Sequence, residues 1–144
     1  MTILILAAAL FTVNITPATL PSDDISAISN LVETFSKSAD GRQVTKMELI
    51  LHDNFRAIIN RAFGSDEVDF IDKQTYLTLL REEKIGGDNR HISIASIDLE
   101  GNNAVVKAEL AGKDLNFTTF IQAVKGADGQ WKVMSDMPHI EENR

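Results

Sequence analysis

The stretch HISIASIDLEGNNAVVKAEL, His91 to Leu110, decides the fold. Ala104, Val106, Ala108 and Leu110 alternate with Val105, Lys107 and Glu109, the two-residue period of a strand with one face buried. His91 to Leu99 is strand-like as well, and Glu100-Gly101-Asn102-Asn103 joins the two as a polar turn. Downstream, Ala111-Gly112-Lys113-Asp114 turns the chain again, Leu115 to Lys125 forms a long strand and Gly126-Ala127-Asp128-Gly129 a hairpin. Trp131 to Met137 is the last strand, and Glu141 to Arg144 reads as a loose tail. Four strands in succession, joined by short turns, form an antiparallel meander.

Upstream the period changes to that of a helix. After Pro21, Ser22-Asp23-Asp24 supplies a cap and first-turn acids, and Ile25, Ile28, Leu31, Val32 and Phe35 recur at helical spacing up to Asp40-Gly41. A short helix from Val44 to Leu51 follows, then a strand with Phe55, Ala57 and Ile59 on one face and an extended piece from Val68 to Ile71. Asp72 caps a third helix with Tyr76, Leu77, Leu79 and Leu80 as its apolar stripe, which Gly86-Gly87 is expected to stop. Helices concentrated in the first half cannot build the alternating units of a parallel sheet. The expected class is therefore α+β, about three N-terminal helices covering one face of a curved antiparallel sheet.

The 144 residues fit one domain, and a 44% hydrophobic share supports a real core. The net charge is -7, with 21 acidic against 14 basic residues. Nucleic acid is an unsuitable partner for such a surface, as is an anionic membrane face. The absence of cysteine excludes disulfides, thiolate-bound metals and thiol nucleophiles.

At the N-terminus, Ile3 to Val13 is an almost unbroken apolar run, followed by small residues at Thr16 and Ala18. A membrane anchor needs about 20 apolar residues, so the run is too short to be one. It fits residues 1–18 as a secretory signal peptide, although no Lys or Arg precedes Ile3. A periplasmic or secreted domain over residues 22–140 is the expectation.

Four words in this order resemble the nuclear transport factor 2-like superfamily, and within it the "putative lumazine-binding" group, close to the SnoaL-like cyclases. They are ISNLVETFSKSADG, LHDNFRAII, HISIASIDLEGNNAVVKAEL and FTTFIQAVKGADGQWKVMSDM, within a likeness that runs from about Ile25 to Met137. The resemblance implies a cone with an apolar pocket between the concave sheet and the first helix. Its members include isomerases, dehydratases, cyclases, binders and dimerisation modules, so the fold does not assign a function.

On that resemblance, Leu31, Phe35, Tyr76, Phe117, Thr119 and Ile121 are the expected pocket residues, taking a small apolar or aromatic ligand. The base and first-helix Tyr of ketosteroid isomerase-like members are missing: the matching stretch is Ile58-Ile59-Asn60, and the one tyrosine is Tyr76 on the third helix. Where the related group often carries an Asp before the long-strand aromatic, this chain has Thr119 before Phe120. His52 is then the single catalytic candidate, as a base at the pocket mouth; a His packed on Phe55 at a helix end is the plainer arrangement. His91 and its neighbour Arg90 are both expected to reach solvent, and His139 to lie in the tail.

No histidine spacing suits a metal, and the acids Asp66, Glu67, Asp69 and Asp72 lack the order of a calcium loop. Arg81-Glu82-Glu83-Lys84 reads as a charged helix face and Trp131 as a core residue. Gly86-Gly87 follows a helix instead of opening one, so no phosphate loop is present and no cofactor is implied. The leading expectation is a non-catalytic small-molecule-binding domain. Two others stand beside it: a SnoaL-like lyase, isomerase or cyclase using His52, and a module that pairs as a homodimer through an outer sheet face bearing Val105, Phe120 and Val124.

Overall fold

The structure is a computed structural model describing residues 21–143. The run Ile3–Val13, read as an export signal, lies outside the described residues. Three helices, α1 (Pro21–Asp40), α2 (Val44–Ile50) and α3 (Lys73–Arg81), accompany six strands, β1 (Leu51–Asn60), β2 (Val68–Asp72), β3 (His91–Glu100), β4 (Asn103–Ala111), β5 (Leu115–Lys125) and β6 (Trp131–Glu142). One unclosed sheet runs β2-β1-β6-β5-β4-β3. The architecture is the helix-covered curved sheet expected from the alternating pattern of β4 and its neighbours.

Every neighbouring pair is antiparallel except β1 and β6, which run parallel with Ala57 opposite Asp136. A wholly meandering sheet cannot show this pair, because β1 reaches β6 across the rest of the chain rather than through a turn. The core lies between α1 and the concave face, where Ile28, Val32, Met47, Phe55, Val106 and Val133 are fully enclosed. No described helix is long and apolar enough to cross a membrane.

Several boundaries move, each for a local reason. Leu51 leaves the helix with extended backbone and pairs with Val133, so His52 is a strand residue rather than a helix end. Helix α1 does stop at Asp40, but the left-handed residue after it is Arg42 (φ 50°), not Gly41. Its side chain holds it there, donating to the carbonyl oxygens of Glu83, Ile85 and Gly86. Helix α3, capped by Asp72 accepting from the Thr75 amide at 2.8 Å, ends at Arg81, well before Gly86. Glu82 to Lys84 therefore form a loop, and Glu83 takes the left-handed turn.

The tail is ordered through Glu142: Pro138 to Glu142 pair with Thr119 to Leu115. Pro138 lies on this stretch beyond the last β1 pairing, where its missing amide costs no ladder bond on that side. Asn143 continues the attachment through the carbonyl oxygens of Gly112, Lys113 and Asp114.

Candidate functional site

Between α1, α3 and the concave sheet lies a cavity of about 670 Å³ with mostly apolar walls. Helix α1 contributes Val32, Phe35 and Ala39, and the sheet contributes Ala57, Ile59, Leu110, Phe117 and Ile121. Phe63 and Phe70, both strongly exposed, stand at its mouth on the β1–β2 hairpin. Phe35 and Tyr76 on the wall pack with Phe55 behind them as an aromatic triangle with centroid separations of 5.3 to 6.3 Å. A second hollow of similar volume, bordered by Ile25, Ile97, Leu99 and Val105, is a shallow groove on the surface.

The cavity's polar groups come from a register change. Along β6, Val133 opposes Ala123 and Ser135 opposes Gln122, so Met134 is an extra residue, a β-bulge. Trp131 and Val133 point into the core before it. After it the parity reverses, and Asp136, Pro138 and Ile140 border the cavity while Met137 is exposed. Without the bulge, Ser135 and Met137 would occupy the inner face.

Asp136 therefore enters an apolar space. Thr119 on β5, almost completely buried, donates its hydroxyl to Asp136 Oδ1 at 2.5 Å. Burial pushes the Asp136 carboxyl up to about 6; the Thr119 bond and the charge of Arg90 pull against it without prevailing. Holding the ionised form at neutral pH costs on the order of 2–3 kcal/mol. A carboxylate kept at that cost in a cavity is a functional-site candidate.

Opposite it, Arg90 is anchored to the end of α1. Its Nε donates to Asp40 Oδ1 at 2.6 Å and its backbone amide to Asp40 Oδ2 at 2.8 Å. The guanidinium carbon lies 4.9 Å from the centre of the Phe117 ring. Asp40 uses both oxygens on Arg90, whereas the two terminal nitrogens of Arg90 make no hydrogen bond among the described residues. The Tyr76 hydroxyl is likewise unbonded there, and burial, then the charge of Asp136, pushes it above the ordinary tyrosine range.

Of the residues expected at the pocket, the structure brings Phe35, Tyr76, Phe117, Thr119 and Ile121 to the cavity wall. Leu31 is buried in the core, and its neighbour Val32 borders the cavity instead. The base candidate His52 lies on β1 and is not among the residues bordering the cavity; its Nδ1 accepts from the Asn54 amide at 3.0 Å. His91 and His139 are exposed, the latter on β6 rather than in a loose tail.

Arg90, expected to reach solvent, is instead only 13% exposed in its side chain. Lys84 and Asp69, read as parts of solvated charge runs, border the cavity too. Among the described residues no three His, Asp or Glu gather as metal ligands. Trp131 packs at the far end of α1, its Nε1 donating to Asp24 at 2.9 Å.

Residues 23–139 match the model of the family described as "Putative lumazine-binding". The chain belongs to this family. No curated protein matches it. Among solved structures, this lumazine-binding-family domain is similar to a nuclear transport factor 2-like protein of unknown function from Shewanella baltica. That likeness has 16% identity and a TM-score of 0.76, covering 88% of this chain and 100% of the other. A protein with a cystatin-like fold from Nostoc punctiforme follows at 15% identity and TM-score 0.68, covering 83% and 92%. A ketosteroid isomerase-like protein from Erwinia carotovora atroseptica has 9% identity and TM-score 0.67, covering 85% and 98%. At these identities the likeness is one of fold. The domain is thus a lumazine-binding-family member of nuclear transport factor 2-like architecture.

Proposed function

We propose that the domain binds a small, largely apolar or aromatic molecule inside the cone, oriented by the carboxyl of Asp136. The observation that carries this reading is the cavity itself. About 670 Å³ with apolar walls and a few convergent polar groups is the form and size of a site for a drug-sized ligand. Titration with naphthalene, followed by methyl NMR, tests it. The expected result is saturable shifts at Ile59, Ile121 and Ile140, which border the cavity, with Ile28 and Val133 in the core unmoved. Shifts spread over exposed residues such as Val68, or none at all, would overturn it.

A second reading rests on Asp136. A carboxylate with a raised affinity for protons, in a cavity that also holds a hydroxyl donor, suits abstraction of a hydrogen next to a carbonyl. Asp136 would take the proton while Tyr76 donates a hydrogen bond to the developing enolate oxygen. The assay is hydrogen–deuterium exchange of β-tetralone in D2O. The expected rate rises with pH through about 6 and disappears in Asp136→Asn. Equal rates in the two proteins leave the binding reading alone.

Export is proposed separately, from the run Ile3–Val13. Its check is the N-terminal sequence of protein recovered from its own source, with cleavage near Ala18 expected and an intact Met1 against it.

A further inference from the structure

Ser36 stands one turn before Asp40 on the same face of α1, so it lies on the side of the helix that holds Arg90. It borders the cavity, it is 2% exposed, and its Oγ has no hydrogen-bond partner among the described residues. Earlier on the same helix Ser26 and Ser29 donate to carbonyl oxygens four residues back, whereas Ser36, like Ser38, does not. A buried hydroxyl without a partner costs about 1–3 kcal/mol, which a bound acceptor would recover.

Unsatisfied capacity around the cavity is therefore lopsided. On the helix side are donors: the terminal nitrogens of Arg90, the Ser36 hydroxyl and the Tyr76 hydroxyl. On the sheet side the sheltered acceptor is Asp136, with Oδ1 already engaged by Thr119, while Asp69 on β2 borders the cavity from an exposed position. The charges of Asp40 and Arg90 offset each other, and of the other charged residues bordering the cavity Asp69, Asp88 and Asp136 outnumber Lys84, so the lining is net negative above the titration point of Asp136. A second anion here would meet that charge in an apolar space, so a carboxylate ligand is disfavoured.

We propose that the ligand is a neutral, double-ended molecule: a carbonyl oxygen accepts from Ser36 and Arg90, and an N–H or O–H on the same ring system donates to Asp136. Cyclic amides and enolised ketones fall in this class. The inference rests on the cavity being a binding site, as proposed above, and adds the polarity of what enters it.

Four probes of matched shape test it by methyl NMR and calorimetry at neutral pH: carbostyril (a bicyclic lactam), N-methylcarbostyril, naphthalene and naphthoate. Carbostyril is expected to bind about tenfold or more tighter than N-methylcarbostyril or naphthalene, the scale of one or two net hydrogen bonds. Ser36→Ala should weaken carbostyril about fivefold while leaving naphthalene within about twofold. Ser38→Ala removes another buried, unpartnered hydroxyl from α1, one that does not border the cavity, and should change neither. Arg90→Lys keeps a cation for Asp40 but loses the guanidinium fork, and should weaken carbostyril selectively.

Carbostyril binding no tighter than naphthalene, Ser36→Ala as harmless as Ser38→Ala, or naphthoate binding tightest would each overturn the proposal while leaving the cavity a binding site. If no probe shifts the cavity methyls, naphthalene included, the binding reading fails and this inference with it.

Discussion

Asp24 and Asp136 occupy opposite ends of the same cone, and their proton affinities move in opposite directions. Asp24 lies in the first turn of α1, where a carboxylate suits the helix dipole. Bonds from Lys125 Nζ and Trp131 Nε1, both 2.9 Å, hold its carboxyl below the ordinary range. Asp136 has one neutral hydroxyl as partner and apolar walls around it, and burial pushes it up. The first end is satisfied and closed, so its polar groups serve the fold. The second keeps acceptor and donor capacity open, at a cost in stability, as the proposed binding site requires.

The largest effect expected is at the packing between these ends. Phe55 is fully buried against Phe35 and Tyr76, and Phe55→Ala should cost about 3–5 kcal/mol in urea unfolding. A loss under about 1 kcal/mol would mean that the hollow extends past the aromatic triangle and that the closed end is not closed.

Next comes the contrast itself. Because the folded state holds the Asp136 proton up to about 6 whereas the free carboxyl loses it near 3.8, the folded protein binds more protons between those values. Stability contributed by this group therefore falls as pH rises through that window and stays low above it. Asp136→Asn should stabilise the domain by on the order of 2 kcal/mol at neutral pH, an advantage that fades as pH falls towards 4. Thermal melts of both proteins across that range check it. No gain at neutral pH would remove the distinction between the two ends.

Asp24→Asn should act with the opposite sign and more weakly. Its lowered affinity makes the stabilisation complete above the ordinary carboxylate range and lost as pH falls through its own lowered value. The variant should melt earlier than the parent at neutral pH, converge with it in acid, and bind cavity probes normally. Tyr76→Phe removes a buried hydroxyl without a partner among the described residues, and should leave stability unchanged or raise it by about 1 kcal/mol at most.

How legible all this was in the sequence follows the same division. The fold was readable because strands such as Ala104 to Leu110 alternate without interruption and α1 repeats its apolar residues at helical spacing. The apolar side of the cavity followed from those patterns and the family likeness, apart from Leu31, displaced by one position in favour of Val32. The polar side was hidden. Period-2 counting from Trp131 and Val133 assigns Ser135 and Met137 to the inside, and only the extra residue at Met134 turns Asp136 inward.

Arg90 was hidden differently. It is polar, precedes a strand and neighbours the exposed His91; nothing local signals that Asp40, fifty positions earlier, draws it in. A trace was present in Asp40 itself. An acid at a helix C-terminus opposes the dipole, and such a residue invites a search for a cation. Long-range partners of that kind, like the parallel pairing of β1 with β6, leave no period in the chain.

The most direct test of the account is a carbon NMR titration of the Asp136 side-chain carboxyl in the unliganded protein. A bulge that aims Asp136 into an apolar cavity predicts a midpoint near 6. A midpoint near the ordinary 3.8 would contradict it, showing that water reaches the carboxyl freely and that the open end holds no sheltered acid.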